Sequence, residues 1–181
     1  GMDVPGIPGV LLGHGPNVAW GLTTSAVDTA DIVWSDRATA TVSRTLKVKG
    51  QPDRTVVRAS TPYGPVVMKS GRTGKLYSIR RSYSGKELLG FAAVLQIPTL
   101  DRVDQVLDLA EHVPLGFNLV SADSRGSIAY ATCGLLPRRA AGWDPRFPIP
   151  AEAVQDRHVP LARWLKAKDP AVGWVCNWNN R

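Results

Sequence analysis

Cysteine is nearly missing from this sequence: Cys133 and Cys176 are the two in 181 residues. They lie far apart, in no Cys-x-x-Cys pattern and beside no histidine pair, so they define neither a disulfide framework nor a zinc site. Two buried thiols in neighbouring strands are expected. No apolar run approaches the ~20 residues that a bilayer-crossing helix needs. Gly1-Met2-Asp3-Val4-Pro5-Gly6 carries neither the basic nor the apolar region of a signal peptide. Internal repeats and low-complexity tracts are lacking as well. A helical membrane span and a repeat architecture are excluded for these residues, and no membrane partner is expected.

What remains has the composition of an ordinary globular chain, 44% hydrophobic and 20% charged, long enough for one domain with a real core. The net charge of +7 could point to nucleic acid. Its cations, however, are scattered through alternating segments such as Thr41-Val42-Ser43-Arg44-Thr45-Leu46-Lys47-Val48-Lys49 and Tyr77-Ser78-Ile79-Arg80-Arg81, where every second strand position faces water. No helix-turn-helix, aromatic stacking platform or zinc spacing accompanies them. A solvated strand face is expected, and no nucleic-acid partner.

The residues from Gly9 to Asp31 organise the rest. Two apolar runs, Val10 to Leu12 and Val18 to Leu22, flank Gly13-His14-Gly15-Pro16-Asn17 and read as two strands joined by a tight loop. The second run gives way to Thr23, Thr24 and Ser25, small residues that let a backbone approach a ligand. Asp28 and Asp31 follow, three positions apart; they suit a hard cation, which takes carboxylate and carbonyl oxygens together, or equally a solvated turn. Ile32 to Trp34 continues as an extended segment. From Thr41 to Tyr83, alternating β-branched and charged residues broken by Gly50-Gln51-Pro52-Asp53, Tyr63-Gly64-Pro65 and Gly71-Arg72-Thr73-Gly74 read as a hairpin-rich excursion within a single domain over 1–181.

Thr99 to His112 is the expected helix, with Thr99 as its cap and Val103, Val106, Leu107 and Ala110 on one face. Gly116 to Ala122 and Ser127 to Gly134 form a strand pair turning at Asp123-Ser124-Arg125-Gly126. Pro137 to Pro150 is a proline-rich loop, and Trp174 to Asn179 a last apolar strand. His14 has no Asp, Ser or Cys motif around it and reads as structural. By itself, Asn179 reads as a strand-end cap.

The order Pro8-Gly9-x-x-x-Gly13-His14, then Trp20-Gly21-x-Thr23 and Asp28-x-x-Asp31, resembles the β-chain of the penicillin acylase family. These are N-terminal-nucleophile amidohydrolases that also include acyl-homoserine-lactone acylases. Ser121-Ala122-Asp123 with Gly126-Ser127-Ile128-Ala129-Tyr130 and Gly134-x-x-Pro137, Asp144-Pro145-Arg146-Phe147-Pro148, and Gly173-x-x-x-Asn177-Trp178-Asn179-Asn180 extend the resemblance over nearly the whole chain. Gly15 stands where the family carries Asn after the histidine.

The resemblance implies a β-rich α+β fragment of the four-layer αββα fold, cut from the centre of the β-chain of a linear-amide hydrolase. The N-terminal nucleophile, whose own amine serves as base, is implied upstream of this chain, so the chain alone is not expected to hydrolyse amides. Asn179 and the backbone N–H of Thr24 are implied as oxyanion donors. Leu11, Leu12, Leu22 and Phe117 are implied as the lining of the acyl site, their aliphatic character suiting an alkyl chain. Asp28, Asp31 and the carbonyls of Ala30 and Pro145 are implied as ligands of a structural calcium, weakly held here because further ligands lie elsewhere. Implied too are a small acyl-amide substrate, pairing with the α-chain and the rest of the β-chain, and a periplasmic or secreted parent enzyme. The competing expectation is a non-catalytic, truncated β-domain that self-associates through exposed apolar edges.

Overall fold

The computed structural model describes residues 1–6 and 9–179; Pro8 and Asn180 of the motifs above lie outside them. In chain order the strands are β1 (Gly13–His14), β2 (Val18–Thr24), β3 (Ala30–Ser35), β4 (Ala40–Leu46), β5 (Arg54–Thr61), β6 (Gly64–Lys69), β7 (Leu76–Arg81), β8 (Phe117–Asp123), β9 (Ile128–Thr132), β10 (Leu135–Pro137), β11 (Ile149–Pro150), β12 (His158–Pro160) and β13 (Lys166–Lys168). Two α-helices, α1 (Glu87–Gln96) and α2 (Val103–Ala110), lie between β7 and β8. The chain is therefore α+β and rich in strands. It divides into two compact units: Gly1–Thr29 with Ser82–Pro137 and Arg157–Arg181, and Ala30–Arg81 with Arg138–Asp156.

The first unit is built on an antiparallel sheet in the order β1-β2-β8-β9-β13, with β10 and β12 as a separate pair. One face of that sheet meets the helices. Val18, Trp20, Leu119, Ala129 and Ala131 bury themselves there with Val103, Val106, Leu107 and Ala110 of α2 and Ala93 of α1. The alternation of β2 and the 3.6-residue spacing of α2 supply the two matching apolar faces.

Helix α2 begins later than the sequence suggested. Thr99 does not cap it; its hydroxyl donates to the carbonyl of Gln96 and closes a 3₁₀ turn over Ile97–Thr99. The exposed amides are met instead by Gln105 Oε1, which accepts from the N–H groups of Asp101 and Arg102, and by Asp123 Oδ2, which accepts from the N–H of Val103 at 3.1 Å. Asp123 Oδ1 also accepts from the N–H groups of Arg125 and Ser127, closing the β8–β9 hairpin, where Gly126 takes φ +92°. One carboxylate thus ties a turn to a helix start.

Other expectations also give way. Helix α1 was not foreseen, because Glu87 to Gln96 is apolar nearly all round and offers no stripe to read. Val10 to Leu12 forms no ladder strand; Leu12 makes a single bridge to Met2, and the strand is Gly13–His14. Trp174 to Asn179 is an irregular segment rather than a strand, held by the side-chain bonds described below. Cys133 is buried, but Cys176 is exposed on that segment, so the thiols are not a buried pair. Gly15 is explained by crowding: a Cβ there would overlap the Pro98 carbonyl oxygen.

The second unit carries the hairpins in a six-stranded sheet ordered β11-β3-β7-β6-β5-β4. Strand β11 runs parallel to β3, and the other neighbours are antiparallel. Val33 and Ile149 are buried, and Thr61 Oγ1 and Ser78 Oγ share a buried hydrogen bond of 2.8 Å. Strand β4 is exposed along its whole length, so its alternation does not separate a wet face from a packed one.

Burial pushes the Asp123 carboxyl up, and its three backbone hydrogen bonds, from Val103, Ser127 and Arg125, bring it below the ordinary carboxylate range. A depressed native value stabilises the fold above the unfolded value of about 3.9 and loses that contribution as pH falls through the native one. In urea titrations Asp123→Asn should cost about 1–2 kcal/mol at neutral pH, the gap to the parent closing below about pH 4. Burial also pushes the Cys133 thiol up to about 12, so a thiolate-selective reagent should label Cys176 in the native chain and Cys133 only after unfolding.

Candidate functional site

The C-terminal end of β2 is where the first unit concentrates polar groups. Strand pairing sets Thr23 level with Asn118 of β8, and Asn118 level with Thr132 of β9. The three side chains form a row across the sheet. Tyr130, two residues before Thr132 on the same face, donates its hydroxyl to Asn118 Oδ1 at 2.9 Å, and Thr132 Oγ1 reaches the same oxygen at 3.2 Å. Asn118 Nδ2 then donates to Thr23 Oγ1 at 3.3 Å, and Thr23 Oγ1 donates to Asn177 Oδ1 at 2.6 Å. Each acceptor fixes the orientation of the next donor.

This row anchors the C-terminal segment. With Oδ1 of Asn177 committed to Thr23, its Nδ2 is left buried with no hydrogen-bond partner, as is Ser25 Oγ. Two residues on, Asn179 Oδ1 accepts from the backbone N–H of Thr24 at 2.9 Å across 155 sequence positions. The two residues expected as oxyanion donors are thus brought into contact. In this state the Thr24 donor is taken by the Asn179 side-chain oxygen.

An apolar cavity of about 140 Å³ opens beside them, lined by Met2, Leu11, Leu12, Leu22, Thr23, Thr24 and Phe117. Leu11, Leu12, Leu22 and Phe117 share this one wall with both threonines. Met2 is the addition. Its backbone N–H donates to Leu12 O, and its carbonyl accepts from Leu11 and Leu12, which holds the first residues against the cavity. His14 is exposed, its Nδ1 within 3.2 Å of the Gly15 carbonyl, and takes no part.

The four expected calcium ligands fall in both units. Asp28 lies near the end of the first unit's opening segment, whereas Ala30, Asp31 and Pro145 belong to the second unit. Asp31 is buried and its Oδ1 accepts from Arg139 Nε at 2.7 Å. Pro145 sits between Asp144 and Arg146, which are bound to each other side chain to side chain; that contact with Arg146 holds the Asp144 carboxyl below its ordinary range. Among the described residues no group of three or more His, Cys, Asp or Glu side chains is arranged to hold a metal.

The family model described as penicillin amidase matches residues 1–181. The chain belongs to the penicillin amidase family. It is 28% identical over 203 residues to the penicillin G acylase of Escherichia coli, covering 99% of this chain and 24% of that protein. It is 25% identical over 221 residues to the acyl-homoserine lactone acylase QuiP of Pseudomonas aeruginosa, covering all of this chain and 25% of that protein. A solved thermostable penicillin G acylase from Alcaligenes faecalis superposes with a TM-score of 0.87 at 28% identity, over 99% of this chain and 36% of that one. The chain therefore spans about a quarter of the length of the first two relatives.

Asn118, Tyr130, Thr132 and Asn177 are not singled out for chemistry by the sequence, whereas Thr23 lies in the stretch where a ligand is expected. A signal existed: Tyr130 and Thr132 alternate with buried Ala129 and Ala131, placing polar side chains on one face of a strand whose other face is packed. Thr23→Val keeps the shape of the side chain while removing both ends of its relay, leaving Asn118 Nδ2 and Asn177 Oδ1 unpaired. It should cost about 1–3 kcal/mol in urea unfolding, and Thr23→Ser, which keeps the hydroxyl, should recover most of that.

Proposed function

We propose that this chain supplies the oxyanion-binding and acyl-binding surfaces of an acyl-amide hydrolase, whose nucleophile comes from outside these residues. The reading rests on one observation: Thr24, which lines the cavity with Leu11, Leu12, Leu22 and Phe117, donates its N–H to the Asn179 side chain.

Attack on an amide carbonyl converts it to a tetrahedral centre bearing an oxyanion, and the rate depends on donors already aimed at that oxygen. The Thr24 N–H and Asn179 Nδ2 are two such donors. In the resting state the first is occupied by Asn179 Oδ1, so the developing oxyanion takes the place of a neutral carbonyl acceptor. A charged acceptor forms the stronger bond, which favours the exchange in the transition state more than with the bound substrate. The row from Thr132 to Asn177 limits how far the segment carrying Asn179 can drift while this happens.

The cavity supports an acyl substrate. Its lining, aliphatic apart from Phe117 and the two threonines, suits an alkyl acyl group, and its volume is well below the ~300 Å³ at which drug-sized sites begin, so these residues accommodate part of that group. The relatives named for penicillin G and for acyl-homoserine lactones support amides of either kind as substrates.

A self-associating domain without catalysis is the second reading. It is favoured by Leu88, Leu89 and Leu95 of α1 and by Trp174 and Trp178, all of which are more than half exposed.

In the acylase assembled with its nucleophile-bearing segment, Asn179→Ala should lower kcat by about 10²–10³-fold with little change in KM, as loss of one oxyanion donor does. Unchanged turnover would remove Asn179 from the mechanism. Failure of any assembly to cleave acyl amides, with concentration-dependent association in sedimentation, would favour the second reading.

A further inference from the structure

Within the second unit the carboxylates of the Asp31 region are matched by arginines rather than left open for a metal. Asp31 is 8% exposed and Arg139 14% exposed, with Nε 2.7 Å from Oδ1. Strand pairing places Arg80 of β7 directly opposite Asp31 of β3, so the two side chains leave the sheet on one face with Cβ atoms about 5 Å apart. Arg80 is itself 11% exposed, and its guanidinium donates to the carbonyl of Gln155 at 2.9 Å and to Asp156 Oδ1 at 3.3 Å. Asp144, beside Pro145, is held by both Nε and Nη2 of Arg146.

A calcium ion gathers about six to eight oxygen ligands, with carboxylates supplying the compensating charge. At Asp31 that charge is already spent on the Arg139 guanidinium. A dication there would meet Arg139, with Arg80 on the same face of the sheet, and like charges repel strongly where water is scarce. Asp31, so matched, does not fit as a ligand of a bound calcium.

We propose that the guanidinium of Arg139 is the resident cation of the Asp31 site, taking the structural part a calcium ion would otherwise play, and that the second unit folds without divalent metal. The loop carrying Arg139 leads into β11, which lies parallel to β3 with Ile149 level with Val33. The ion pair therefore fastens that loop to the strand bearing Asp31. This inference is independent of the catalytic reading, because nothing in its test involves turnover.

The test is heat unfolding of the 181-residue chain with excess chelator and with millimolar calcium, beside the same measurement on variants. Equal midpoints with and without calcium are expected. Arg139→Gln strands a buried carboxylate and should lower the midpoint by about 10 °C, whereas Asp31→Asn combined with Arg139→Gln should regain most of that loss. Should Arg139→Gln fail to fold, equilibrium dialysis of the unmodified chain against radioactive calcium still decides, with no saturable binding expected at this site. A calcium-dependent rise in the parent's midpoint that Asp31→Asn abolishes would overturn the proposal. So would a double variant whose loss equals the sum of the two single losses, since Arg139 would then not be compensating Asp31.

Discussion

Strand β2 has many possible alignments against β8, and the site exists in the one that brings Thr23 level with Asn118 and Thr24 level with Phe117. A slip of one residue would turn every side chain of β2 to the opposite face. Thr23 would leave the row that runs through Asn118 to Thr132, and Val18 and Trp20 would leave the core. The apolar face and the polar row are thus two readings of one register. The register is held from the core side by burial of Val18, Trp20 and Leu119, which costs far more to break than any single hydrogen bond.

The position of the helix layer depends on that sheet through Asp123. Its carboxylate stands where β8 turns into β9 and accepts from the first amide of α2 as well as from the turn. The Ala-Asp-x-x-Gly segment is therefore structural in its chemistry: aspartate for three backbone donors, glycine for a positive φ. It holds the β8–β9 hairpin, which carries Asn118, Tyr130 and Thr132. The second unit is fastened by other means. With little buried apolar area, it relies on matched charges and on the buried Thr61–Ser78 contact.

Much of this was legible in the residues. The hairpin segments of 41–83, the β8–β9 pair and its turn follow from β-branched alternation and Gly-rich breaks, and the structure has them with ends shifted by one to three residues. Helix α2 was visible from Val103, Val106, Leu107 and Ala110. Its start was not, because the groups that meet its amides are a glutamine inside the helix and an aspartate 20 positions on. Helix α1 was hidden by its own uniformity: Leu88, Leu89, Phe91, Ala92, Ala93 and Val94 leave no polar face for a period to stand against. Trp174 to Asn179 looked like a strand because it is apolar, yet it pairs through the side chains of Asn177 and Asn179 instead of a ladder.

The sequence by itself determined the family, the α+β character and the residue types that chemistry could use, since those depend on local composition and on motifs written in order along the chain. It also named the apolar positions Leu11, Leu12, Leu22 and Phe117 as one group. Only the tertiary structure decided which polar groups touch. Thr24 and Asn179 are separated by 155 positions and Asp31 and Arg139 by 108, and no local signal marks either pair. A hydrogen bond acts over about 3 Å, so its partner is chosen by where the sheets bring the chain back, and that is settled by the burial of side chains that take no part in the chemistry.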